Sequence, residues 1–195
     1  MRLGLSSSLT HQTPEEWAER LSALGCRAVN FPVDYTGEPS LLDRYAKAAQ
    51  EHDLLIAEVG AWCNPISPDP ATRKAALLRC EEQLRFAVHM DVFNWITSAQ
   101  RYFFHEEFME ECFTKLGTHI KSCHLKNVHL SQAFTLQLQE TACEKGDLHL
   151  EKYAQLIEHL DPDMPVIIEH LESDAEYLES LAYVIQRFRK AGYSL

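Results

Sequence analysis

Four short apolar runs in this sequence each end in a group that can bind a metal or move a proton: Leu54–Glu58, Phe86–Asp91, Ile120–Lys126 and Val166–Glu169. Side chains alternate faces along a strand. In the second run His89 and Asp91 share a face; in the third, Ser122, His124 and Lys126 do; in the fourth, Glu169 lies with Ile167; in the first, Glu58 lies with Leu54 and Ile56. An Asp, a His and a Glu meeting at one mouth make a divalent-metal site. Carboxylate oxygens suit Mn²⁺ and Mg²⁺, and an imidazole admits Co²⁺ and Zn²⁺ as well. Such an ion polarises a carbonyl, and a neighbouring carboxylate can then take a proton from the adjacent carbon.

Each of these residues also has a plainer reading. A lone His near a strand end is more often a hydrogen-bonded structural residue, and a lone Asp or Glu there is more often a helix cap or a solvated loop charge. Glu58 could serve only as an ion-pair partner. It is the recurrence on successive strand-like runs that favours chemistry. The remaining histidines read as solvated: His105, His149 and His159 on amphipathic helices, His11 and His129 in loops. His170, next to Glu169, is expected on the opposite face and packing outward.

The elements that would position these groups alternate. Strands are expected over Leu3–Ser7, Cys26–Pro32, Leu54–Val59, Phe86–Asp91, Ile120–Lys126 and Pro165–Glu169, with a short one over Phe134–Gln139. The first helix opens on Thr13 and Pro14, with Glu16 completing a capping box, and stops at Gly25. Further helices are expected over Ser40–His52, from Asp69-Pro70 to Leu84, over 105–116 up to Gly117, from Asp147 to Leu160, and from the Ser173/Glu176 capping box to Lys190. Such alternation builds a parallel sheet. No G-x-G-x-x-G follows the first strand, which argues against a doubly wound dinucleotide fold. A closed barrel carries its chemistry at the C-terminal ends of its strands, where the polar residues of this chain fall.

Composition narrows the partners. The chain has 195 residues and a formal net charge of −11, with no basic run, so nucleic acid is not an expected partner. No apolar run approaches the roughly 20 residues of a membrane helix. The six cysteines show no C-x-x-C spacing and no secretory signal precedes them, so reduced thiols and a cytoplasmic setting are expected.

Three segments carry a resemblance: Phe86-Ala-Val-His-Met-Asp91-Val-Phe-Asn94, Ile120-Lys-Ser-Cys-His124-Leu-Lys126-Asn127-Val128, and Val166-Ile-Ile-Glu169-His170-Leu171. They resemble late strands of the xylose isomerase-like TIM barrel superfamily, in its sugar phosphate isomerase/epimerase branch. Glu58 to Asn64, Ser67 to Pro70, and Lys145-Gly146-Asp147-Leu148 resemble other parts of that branch, in order. The resemblance implies a Glu–Asp–His–Glu metal site, foremost for Mn²⁺, with Mg²⁺, Co²⁺ or Zn²⁺ as alternatives. It also implies a small sugar substrate, free or phosphorylated, handled through an enediolate. It makes Asp91 and His124 metal ligands and Glu169 both a ligand and an acid/base. Asn94, Lys126 and Glu58 would lie at the substrate.

One strand of that pattern, carrying the first Glu ligand, has no counterpart here. A full barrel takes about 250 residues and a βα unit about 30, so this chain has room for roughly six units. The joint near 84–87 lacks Gly, Pro, Asn or Asp, as if two βα units were absent from one β/α domain spanning 1–195. Open sheet edges there would favour a homo-oligomer. Three functions remain on this reading: an isomerase/epimerase, a non-catalytic binding module, and an abasic-site endonuclease-like hydrolase.

Overall fold

The computed structural model describes residues 1–34, 37–58, 67–84, 88–133 and 135–195, and only the backbone of 79–84, 88 and 89. In chain order the elements are β1 (Arg2–Leu5), α1 (Pro14–Ala23), β2 (Ala28–Asn30), α2 (Pro39–Glu51), β3 (Leu55–Glu58), α3 (Pro70–Leu84), β4 (Val88–Met90), α4 (Ala99–Phe103), α5 (His105–Leu116), β5 (Ile120–Leu125), β6 (Asn127–Leu130), β7 (Leu138–Thr141), α6 (Leu150–Leu160), β8 (Pro165–Ile168) and α7 (Asp174–Lys190).

Local chemistry sets the helix starts. Thr13 Oγ1 accepts from Glu16 N at 3.1 Å, and Glu16 reaches back to Gln12 N at 2.8 Å. Ser173 and Glu176 repeat the device at α7, with Glu176 Oε2 accepting from Glu172 N at 3.0 Å. After α1, Gly25 turns the chain at φ 87°, the left-handed conformation that ends a helix.

Six strands form one parallel sheet in the order β3-β2-β1-β8-β5-β4. One face buries Leu3, Leu5, Val29, Cys123, Leu125, Val166 and Ile168 against Trp17, Leu21, Tyr153, Ile157, Leu181, Val184 and Phe188 of the helices. The other face curls inward. Between β3 and β5 lie β2, β1 and β8, so a flat sheet would hold them about 19 Å apart. Instead Glu58 Oε1 at the end of β3 lies 2.8 Å from His124 Nε2 on β5. Among the described residues the sheet is therefore part of a barrel, with β3 and β4 as its edge strands, where a closed ring of eight would need two more strands. In chain order these would fall between the end of α3 and the start of β4; residues 85–87 of the joint near 84–87 lie outside the described residues, as do Val59 to Asn64.

The second, two-stranded sheet differs from the sequence reading. The short strand expected over Phe134–Gln139 lies at Leu138–Thr141, with Phe134 outside the described residues, and it pairs antiparallel with β6. His129 therefore sits in a strand, not in a loop.

Close approach fixes one glycine. A Cβ at Gly4 would stand 1.9 Å from the Ala28 carbonyl oxygen. Gly4→Ala is expected to cost on the order of 3 kcal/mol or more, because β1 and β2 must part to admit the methyl. A urea midpoint equal to that of the wild type would refute this.

Cys26, Cys112, Cys123 and Cys143 are free thiols. Burial pushes Cys26, Cys123 and Cys143 up to about 12. All three are expected to resist a thiol reagent at about pH 8 in the native protein and to label fully after denaturation, read by peptide mass mapping.

Candidate active site

Asp91 follows β4, His124 lies in β5 and Glu169 follows β8, on three neighbouring strands. The pairing of β5 with β8 sets His124 beside Ile167, so Glu169, two residues on, projects from the same face one step higher. The Glu169 N–H donates to Leu125 O at 3.3 Å and holds that step in place. A ligand atom from each of Asp91, His124 and Glu169 lies within 4.8 Å of the other two. His124 Nδ1 stands 2.8 Å from Glu169 Oε2 and 3.8 Å from Asp91 Oδ2, and its other nitrogen faces Glu58.

Lys126 is the cation of this cluster. Its side chain is 1% exposed, and Nζ lies 3.0 Å from Asp91 Oδ2, 3.0 Å from Glu169 Oε1 and 3.1 Å from Glu140 Oε2. The resemblance would set Lys126 near a substrate; in the structure its ammonium contacts these three carboxylates. Asn94 lies in the short turn after β4, where its backbone N–H donates to Asp91 Oδ1 at 3.2 Å and its side-chain amide donates to Asp91 Oδ2. Asn94 thus orients Asp91.

Two residues of the cluster escape sequence reasoning. Glu140 sits on β7, a strand whose exposed polar residues carry no distinguishing pattern. His170, expected to pack outward, is 53% exposed, yet its Nδ1 lies 3.0 Å from Lys126 Nζ and 2.9 Å from Glu140 Oε1. The reason is its backbone: φ is 59°, so strand alternation stops at Glu169 and the ring turns back over the cluster.

The charges are strongly coupled. Burial disfavours the imidazolium of His124, but contacts with Asp91, Glu169 and Glu58 outweigh it and push the ring up to about 10. Burial likewise opposes the Asp91 carboxylate, yet His124 and Lys126 hold it well below the usual carboxylate range. Lys126 is raised, its desolvation outweighed by Asp91 and Glu169. Four carboxylates, of Glu58, Asp91, Glu140 and Glu169, thus face one lysine and the imidazoles of His124 and His170, and hard oxygens with an imidazole nitrogen among them suit a divalent cation. A groove of about 760 Å³ along α4 and α5, lined in part by Trp95, Arg101, Phe104 and Phe108, includes none of these residues.

No protein-family model and no curated protein matches the sequence. Solved structures do. A xylose isomerase-like TIM barrel protein from Mycobacterium smegmatis, in complex with magnesium, aligns with 90% of this chain and 89% of its own at 13% identity and a TM-score of 0.51. The fold is that of a xylose isomerase-like TIM barrel, shortened. Two others match more loosely. One is a xylose isomerase domain protein from Planctomyces limnophilus, at 18% identity over 91% of this chain and a TM-score of 0.40. The other is a D-allulose 3-epimerase from Methylomonas sp. in complex with D-allulose, at 14% identity over 89% of this chain and a TM-score of 0.37. The chain spans 64% of the Planctomyces limnophilus protein and 67% of the Methylomonas one. Among the described residues no helix is long and apolar enough to cross a membrane.

Proposed function

We propose that the chain carries the remaining part of a metal-dependent sugar isomerase/epimerase site. Asp91, His124 and Glu169 would bind a divalent ion, Mn²⁺ first, and Glu169 would be the acid/base. One observation carries this reading: these three groups converge from neighbouring strands at the C-terminal mouth of the barrel, where this fold places its chemistry. The magnesium held by the Mycobacterium smegmatis protein of the same fold supports a divalent ion of this general kind.

The bound ion would supply a Lewis acid for the carbonyl of an open-chain sugar. The protein's own groups do the rest. Asn94 and Lys126 hold Asp91 in one orientation. Lys126 and His124 orient the Glu169 carboxylate, which would take the proton from the carbon next to the carbonyl. Returning a proton to the opposite face needs a second group, and Glu58 at the end of β3, 2.8 Å from His124, would serve as that group.

The test is exchange of carbon-bound hydrogen for deuterium in D₂O, followed by NMR, on ketoses and ketose phosphates with Mn²⁺ present. Exchange is expected in the wild type and absent in Glu169→Gln. Glu58→Gln is expected to keep exchange while losing the epimer. A wild type that neither binds Mn²⁺ nor exchanges any ketose proton would refute the proposal. That result would favour the second reading, a binding module without turnover, in which Lys126 rather than an ion holds Asp91 and Glu169 together. An abasic-site endonuclease fits poorly with a net charge of −11.

A further inference from the structure

We infer a second metal site of zinc class, formed by His105, Glu106 and His149 where α5 and α6 begin. These three residues also bring one ligand atom each within 4.8 Å of the others. It shares no residue with the Asp91 cluster and does not depend on the function proposed for it.

The hydrogen bonds prepare the ligands. His105 Nδ1 lies 2.8 Å from the Tyr102 carbonyl oxygen, which can only accept, so Nδ1 carries the proton and Nε2 keeps its lone pair. That is how metal-binding histidines are usually held: one ring nitrogen donates to a carbonyl while the other faces the ion. Nε2 now accepts only a long bond, 3.2 Å, from the His149 backbone N–H. His149 Nδ1 contacts Glu106 Oε1, and the two imidazoles meet edge to face with centroids 5.1 Å apart. The loop before His149 is anchored. The Asp147 carboxylate accepts from Leu130 N at 3.2 Å and from the Tyr102 hydroxyl, and Leu148 N donates to buried Asn127 at 3.0 Å. The ligands therefore come from pinned backbone and need only side-chain adjustment to reach the roughly 3.4 Å separations of a zinc tetrahedron.

The donor set selects the ion. Two imidazoles and one carboxylate are a zinc combination that leaves a fourth position for water. Mg²⁺, which requires oxygen ligands, fits poorly. Both helix N-termini oppose a cation weakly, and Glu106, Glu107 and Glu151 in their first turns offset that. Such an ion would tie α5 to α6 at the rim of the barrel.

The test is a Co²⁺ titration of the full chain with excess Mg²⁺, which competes for the oxygen-rich Asp91 cluster. The visible absorption of tetrahedral Co²⁺ is the readout. One equivalent is expected in the wild type and also in Glu169→Gln. His149→Ala and Glu106→Gln are each expected to bind at least about a hundredfold more weakly, since even partners behind a ligand are worth 10–100-fold. Neither side chain is buried, at 63% and 43% exposure, so these variants should fold. Absence of the tetrahedral band in the wild type, or an undiminished band in His149→Ala, would overturn the inference.

Discussion

Lys126→Met is expected to destabilise the metal-free protein by about 3–5 kcal/mol, the usual cost of removing one partner from a buried ion pair. The ammonium is 1% exposed and lies within 3.1 Å of carboxylate oxygens on Asp91, Glu140 and Glu169. Methionine fills much of the same space but leaves the buried Asp91 and Glu169 carboxyl groups without their ammonium partner. For a small domain that loss is a large share of total stability. The same substitution should tighten divalent metal binding, because the ion no longer competes with the ammonium for Asp91 Oδ2 and Glu169 Oε1. Added Mn²⁺ should then restore stability, by about 2.7 kcal/mol at a hundred times its dissociation constant. Urea unfolding in EDTA and in Mn²⁺ reads both effects. A variant whose midpoint in EDTA matches the wild type would show that Lys126 does not neutralise the cluster.

Much of this arrangement is legible in the sequence because parallel barrels place chemistry at strand ends, and a strand end can be read from period-2 alternation. Asp91, His124 and Glu169 each stand at or next to the end of such a run, and the structure brings them together. What the sequence does not show depends on curvature or on a single dihedral. Glu58 meets His124 only because the sheet curls through three intervening strands. His170 meets Lys126 only because one residue takes a positive φ, which alternation cannot anticipate. Asp147 reads as a helix start, yet α6 begins at Leu150, since that carboxylate is engaged by Tyr102, His129 and Leu130. His105 and His149 read as solvated helix residues, and their juxtaposition needs α5 and α6 side by side.

The cluster also sets two pH dependences that run in opposite directions, and both pass through His124. Its folded-state pKa of about 10 lies above the value of about 6.5 expected for an unfolded histidine. The stabilisation from the charged ring is therefore fully present below about pH 6.5 and is lost as pH rises toward 10. Metal binding needs the neutral ring, so below pH 10 the ion must displace a proton. Asp91, held well below the usual carboxylate range, stays ionised throughout this window and adds no slope. Between about pH 7 and 9.5 the metal-free protein should lose stability, while its apparent affinity for Mn²⁺ should climb about tenfold per pH unit. His124→Ala removes the titrating group together with one of the three proposed ligands. Mn²⁺ affinity should then fall at least about a hundredfold, and the remaining affinity should be nearly flat across this range. Calorimetric titration at several pH values, in buffers of different ionisation enthalpy, measures the affinity and counts the released proton directly. An affinity independent of pH in the wild type, or unchanged in His124→Ala, would remove His124 from the ligand set. The ion would then be left to carboxylates alone.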